Sequence, residues 1–162
     1  MQPALFSVSY AGFWGQATRS LDQFISFAAE CGYASVMIAG KRPHLSPLDV
    51  TEEQLTHLTG HLQAARIRCD VIAAYTNFAP AVRQASEVPY LELQIAYVES
   101  LAKIAARLGA GILRIFTAYE AEGLELQALW NRVVTAIREC CDRALPLGIT
   151  LAIQNHHDLG LP

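Results

Sequence analysis

The sequence predicts an α/β protein built on a parallel sheet, and three observations carry that prediction. Short apolar runs alternate with longer segments of helical period from one end of the chain to the other. The helical segments open on capping residues and close on glycine or proline. A whole helix separates each strand from the next, which is the connection that parallel strands require. The expected order is β-α-β-α-β-α-β-α-β, in a single domain over residues 1–162.

Residues 4–9 read as the first strand. Ser20-Leu21-Asp22-Gln23 is a capping box, in which the Ser20 hydroxyl takes a free helix N–H and Gln23 reaches back. Leu21, Phe24, Ile25 and Ala28 keep helical spacing after it, and Gly32 can stop the helix in a left-handed conformation. Residues 35–39 form a second, apolar strand. Thr51-Glu52-Glu53-Gln54 is another capping box and opens a helix through Leu55, Leu58, Leu62 and Ala65. Residues 67–74 are the third strand, and 89–108 a long helix with Tyr97, Leu101, Ile104, Ala105 and Leu108 on one stripe. Residues 111–116 are the fourth strand. The fourth helix carries Leu126, Leu129, Trp130, Val133, Ile137, Cys140, Cys141 and Ala144 on a 3.6-residue period. Pro146 and Gly148 close it, and 149–153 are the fifth strand.

Two architectures fit this order: an open doubly wound sheet, or part of an eight-stranded (βα) barrel. A nucleotide-binding open sheet carries a glycine-rich turn after its first strand. Here that turn is Tyr10-Ala11-Gly12-Phe13-Trp14-Gly15, which lacks G-x-G-x-x-G and sets two aromatic rings where a pyrophosphate would approach. The barrel is the preferred reading.

Composition narrows the function classes. The chain is 52% hydrophobic and 17% charged, with a mean hydropathy of +0.24, as expected of elements buried on both faces. No apolar run approaches the roughly 20 residues of a membrane helix, so no membrane partner is expected. A net charge of -3 with no basic stripe argues against nucleic acid. Cys31, Cys69, Cys140 and Cys141 show no C-x-x-C pattern and read as reduced, small core residues. With no basic, apolar leader at the N-terminus, a cytoplasmic location is expected.

In either architecture functional groups gather after the C-terminal ends of the strands. The five segments there hold Tyr10, Phe13 and Trp14; Lys41, Arg42 and His44; Tyr75, Thr76 and Asn77; Thr117, Tyr119 and Glu120; and Gln154, Asn155, His156, His157 and Asp158. Aromatic walls with amides, hydroxyls, cations and imidazoles suit a polyhydroxylated small molecule, neutral or anionic. Lys41, Arg42 or Arg114 is a candidate phosphate holder, although Arg114 lies within a strand and has either the interior or a helix to face. The final cluster is the most telling. An imidazole moves protons near neutral pH and ligates Zn, Mn or Co. Gln154 should follow the pleat into the mouth of the strand.

Three stretches resemble the xylose-isomerase-like TIM-barrel superfamily of sugar and sugar-phosphate isomerases and epimerases. They are Gly40-Lys41-Arg42-Pro43-His44-Leu45-Ser46-Pro47, Leu113-Arg114-Ile115-Phe116 and, most specifically, Leu151-Ala152-Ile153-Gln154-Asn155-His156-His157-Asp158. The resemblance implies a (βα)8 TIM barrel, here truncated after the fifth strand. It implies a divalent metal (Mn, Mg, Zn or Co) held by residues from strands five to eight, and proton transfer beside a carbonyl. It makes His156 and His157 candidate catalytic groups and Gln154 a candidate metal ligand. Trp14, Lys41, Arg42, His44, Tyr75 and Asn155 become candidate contacts to a carbohydrate or sugar phosphate. Gln154 stands where the family's first carboxylate ligand is expected, and an amide has neither the charge nor the basicity of a carboxylate. The alternatives are a non-catalytic small-molecule-binding barrel and a dehydratase of a cyclic polyol or keto acid. An incomplete barrel is also expected to self-associate through its open sheet edges, and to be weakly active or inactive alone.

Overall fold

The computed structural model describes residues 2–79, 88–119 and 123–156. Five strands, β1 (Ala4–Phe6), β2 (Ser35–Ala39), β3 (Arg68–Ala73), β4 (Ile112–Ile115) and β5 (Thr150–Ile153), alternate with four helices. These are α1 (Leu21–Glu30), α2 (Glu52–Ala65), α3 (Tyr90–Leu108) and α4 (Leu126–Ala144). All neighbouring strands are parallel, and their order in the sheet is their order in the chain. A doubly wound sheet reverses its order at a switch point. This sheet never does, which is the order of a partial (βα) barrel.

Both capping boxes form. Ser20 Oγ accepts from Gln23 N at 3.3 Å, and Thr51 Oγ1 accepts from Gln54 N at 3.2 Å. Gly32 and Gly109 follow α1 and α3 at φ 78° and 75°, so glycine takes the left-handed position at which a side chain would be strained. Each helix turns its apolar stripe onto one face of the sheet. Phe24 and Ile25, Leu58 and Leu62, Val98 and Leu101, and Val133 and Cys140 bury against Val36, Ile38, Ile72 and Leu113. At about 1.5–3 kcal/mol for each fully buried large apolar side chain, this layer is the main source of stability.

Three expectations are corrected. The first strand ends at Phe6 rather than residue 9, and Ser7–Tyr10 turn as a 3-10 helix. The cause is the buried Ser7 hydroxyl, which accepts from Ala39 N at 2.9 Å and takes the rung that the backbone would otherwise fill. Of the cysteines, Cys69 and Cys140 are buried but Cys31 and Cys141 are exposed, and all four are free thiols. Adjacent helical positions lie about 100° apart, and on α4 that step takes Cys141 off the buried stripe that Cys140 occupies. Trp130 and Leu126 are exposed, leaving Leu129, Val133, Ala136, Cys140 and Ala144 as the buried stripe of α4.

The second face of the sheet lines the barrel interior, and its rows follow from register. Phe6, Met37, Val71, Ile112 and Thr150 stand opposite one another across all five strands. Two residues on, Ala39, Ala73, Arg114 and Ala152 form the next row. Among the described residues no helix is long and apolar enough to cross a membrane.

Candidate functional site

Alternation continues past the strand ends and builds the mouth. Two residues beyond the alanine and arginine row come Lys41, Tyr75, Phe116 and Gln154, on the interior face by the period of two. Arg114 is flanked in its row by two alanines, Ala73 and Ala152, which leave room for its long side chain. Its guanidinium turns into the mouth. Nη1 donates to Ala74 O at 2.9 Å, and the guanidinium carbon lies 4.2 Å from the Phe116 ring centroid, 4.9 Å from Tyr75 and 5.9 Å from Phe6. Lys41 Nζ lies 3.7 Å from the centroid of Tyr75 and 4.4 Å from that of Phe13. The His156 ring meets Phe116 edge to face at 5.5 Å.

A lattice of hydrogen bonds fixes these positions. Tyr97, on α3, donates its hydroxyl to Gly40 O at 2.8 Å and accepts from Tyr75 N at 3.3 Å. One phenol thereby ties the segment after β2 to the segment after β3. Thr76 Oγ1 donates to Phe116 O at 2.6 Å and accepts from Phe116 N at 2.9 Å, tying β3 to β4. Gln154 N donates to Ile115 O at 3.0 Å and carries β5 to the same level. Tyr97→Phe removes both bonds of the phenol and strands a backbone N–H and carbonyl. It is expected to cost about 1–3 kcal/mol in denaturant unfolding and to loosen Lys41 and Tyr75 together.

Burial shapes the electrostatics. Desolvation and the nearby Arg114 charge hold the Lys41 ammonium below its ordinary pKa. Burial lowers Arg114 in the same sense and pushes the phenols of Tyr75 and Tyr97 up. None of the ion pairs among the described residues includes Lys41 or Arg114.

The other expected site residues divide. Trp14 is 77% exposed at the rim, with its indole edge to face on Phe13 at 5.9 Å. Gln154 and Asn155 are exposed on the segment after β5. His157 lies outside the described residues, as do Glu120 and Asp158. Arg42 and His44 are not brought to the mouth. After Lys41 the chain doubles back, and Leu45 N donates to Ala39 O at 3.1 Å, so alternation stops there. Arg42 pairs with Asp49, Nε to Oδ2 at 2.6 Å. His44 Nε2 lies 3.2 Å from Arg19 O, and its ring stacks on Phe24. Asp49 and His44 line a cleft of about 320 Å³ beside Ser20 and His57, between α1 and α2. Arg114 and Phe116 are mouth residues that loop composition alone does not find. Counting in twos along β4 does.

A divalent ion needs several hard or imidazole donors at one point. Among the described residues no group of three His, Cys, Asp or Glu side chains comes together to hold a metal. Gln154 offers the mouth one neutral amide oxygen. The described residues therefore do not amount to a metal centre.

A parallel βα half-barrel with polar and aromatic groups at the C-terminal ends of its strands defines a class, and comparison with known proteins agrees. The model of the xylose isomerase-like TIM barrel family matches residues 25–161, and the chain belongs to that family. No curated protein sequence matches it. Among solved structures, the probable 3-DHS dehydratase AsbF of Bacillus anthracis is similar over 98% of this chain and 53% of its own, at 17% identity and a TM-score of 0.70. The D-allulose 3-epimerase of a Methylomonas species, solved with D-allulose, is similar over 94% of this chain and 50% of its own, at 19% identity and a TM-score of 0.67. The IolI protein, solved with a zinc atom, is similar over 94% of this chain and 51% of its own, at 15% identity and a TM-score of 0.69. The chain thus spans about half the length of these structures.

Proposed function

We propose that this chain contributes the first half of the substrate site of an isomerase or epimerase acting on a small polyhydroxylated carbonyl compound, by proton transfer at the carbon beside the carbonyl. The observation that carries the reading is the convergence of Phe13, Lys41, Tyr75, Arg114, Phe116 and His156 at the barrel mouth. Family membership and the D-allulose complex of the Methylomonas epimerase support the substrate class.

Each group has a task in this reading. Phe13, Tyr75 and Phe116 offer apolar walls to the C–H faces of a sugar and keep bulk water from the reacting carbon. Lys41 and Arg114 donate to oxygens that gain negative charge as the proton leaves. His156, against Phe116, takes and returns the proton, a task for which an imidazole suits neutral pH. Asn155 and Trp14 close over the substrate at the rim. In family members that hold one, a divalent ion polarises the carbonyl. Among the described residues, the Gln154 amide and the His156 imidazole are the groups on the segment after β5 that this chain could offer to such an ion.

The second reading is a binding module without catalysis. The amide of Gln154 favours it, because an amide cannot act as a base or neutralise a cation.

Solvent exchange separates the two. The chain is incubated with D-allulose in D₂O, and the C–H signals beside the carbonyl are followed by proton NMR, with and without added Mn²⁺. Loss of those signals above the protein-free rate, abolished in His156→Ala, is the result expected of the enzyme. Saturable binding with no exchange under either condition would establish the binding module instead.

A further inference from the structure

We infer that Lys41, Tyr75 and Arg114 form an anion subsite, so that the small molecule taken at the mouth carries a carboxylate or a phosphate gripped by the two cations that meet at the Tyr75 ring. The inference deepens the function proposed above and rests on it for the location of the substrate.

Arg114 is 5% exposed, and arginine is almost never buried to that extent without a charged partner. Its partners here are neutral: the Ala74 carbonyl, the phenol of Tyr75, and the faces of Phe6, Tyr75 and Phe116. Its Nε is buried with no hydrogen-bond partner. A buried donor left unmade and a buried charge left unpaired are both costly.

A second cation, Lys41, sits on the same ring with no carboxylate beside it among the described residues. Like charges around one ring raise the cost of both, and the Lys41 ammonium is held below its ordinary pKa by burial first and by the Arg114 charge second. A protein that needed only a strut at Arg114 would gain nothing from Lys41. Ion pairs hold several of the other arginines, such as Arg143 with Glu99 and Arg42 with Asp49; Arg19, whose Nε is also unpartnered, is only partly buried, over the rings of Tyr10 and Phe27. An incoming anion settles both charges at once. A carboxylate or phosphate accepts from the planar guanidinium fork and from the ammonium in the same step.

The test compares three ligands with one carbon skeleton, D-xylose, D-xylonate and D-xylose 5-phosphate, by calorimetric titration of the full chain. At least one anionic ligand is expected to bind about tenfold or more tighter than neutral xylose. The preference should shrink as salt rises from low to physiological strength. The tighter of the two anions identifies the group as carboxylate or phosphate. Lys41→Gln is expected to remove most of the preference while the thermal midpoint stays in place, because Lys41 has no role in the core. Arg114→Gln should remove it as well, and Lys41→Gln keeps the test valid where that buried substitution disturbs folding.

Equal affinity for all three ligands, no binding of either anion, or an undiminished preference in Lys41→Gln would each overturn the inference. The two readings fail separately. Anion preference without solvent exchange leaves the subsite standing and removes the isomerase. Exchange on D-allulose without any anion preference does the reverse.

Discussion

Phe78→Ala is expected to lower the unfolding free energy by about 3–5 kcal/mol and to weaken ligand binding at the mouth in the same protein. Phe78 is fully buried in the segment after β3, three residues beyond Tyr75. Its backbone is held from both sides: the N–H donates to Thr117 O at 2.9 Å, and the carbonyl accepts from Arg132 Nε, on α4, at 3.2 Å. The ring is the largest fully buried apolar group of the segment, which is also tied by Asn77 N to Gln94 Oε1 at 3.1 Å. Removing it opens a cavity in the core that this segment packs on. Denaturant unfolding gives the stability change, and titration with a sugar ligand under native conditions gives the loss of affinity. A stability loss without any change in affinity would mean that the Tyr75 segment holds its shape without this anchor.

Gly40→Val should cost at least about 1–3 kcal/mol through overpacking. A Cβ at Gly40 would lie 2.6 Å from Leu101 Cδ1 and 3.1 Å from Ala73 O. Leu101 is itself fully buried in α3, and a strand carbonyl cannot withdraw, so β2 and α3 must part. The Tyr97 bond to Gly40 O is lost with that movement, and Lys41 follows at the next residue. Gly60 is the control. It lies within α2 with open space around its would-be Cβ, and Gly60→Ala is expected to stabilise by about 0.5–1 kcal/mol. Opposite signs at the two glycines, read by thermal unfolding, distinguish a steric requirement from general tolerance.

Most of the scaffold was readable because it rests on local rules. The capping boxes at Ser20 and Thr51, the stops at Gly32 and Gly109, and the helical stripe through Leu101 each require only neighbours in the chain. The end of β1 was not readable, since Ser7 leaves the ladder to bond Ala39, a residue 32 positions away. At the site the same divide holds. The period of two places Lys41, Tyr75 and Gln154 on the interior side of the strand ends. It gives no hint that the chain doubles back at Leu45, which sends Arg42 to Asp49 and His44 to Arg19 O. The direction of Arg114 stayed open for a related reason. A charged residue within a strand looks misplaced until register sets an alanine on either side of it. Only that tertiary register shows where its side chain has room.

The central claim is that ligand binds where the strands end, between Lys41, Tyr75, Arg114, Phe116 and His156. Backbone amide NMR of the isotope-labelled chain, titrated with D-xylose 5-phosphate and in parallel with D-xylonate, tests it most directly. Saturable shifts are expected with at least one of the two anions, confined to the segments around Phe13, Lys41, Tyr75, Phe116 and His156. Shifts centred on His44 and Asp49 in the cleft between α1 and α2, or no shifts with either ligand, would contradict it.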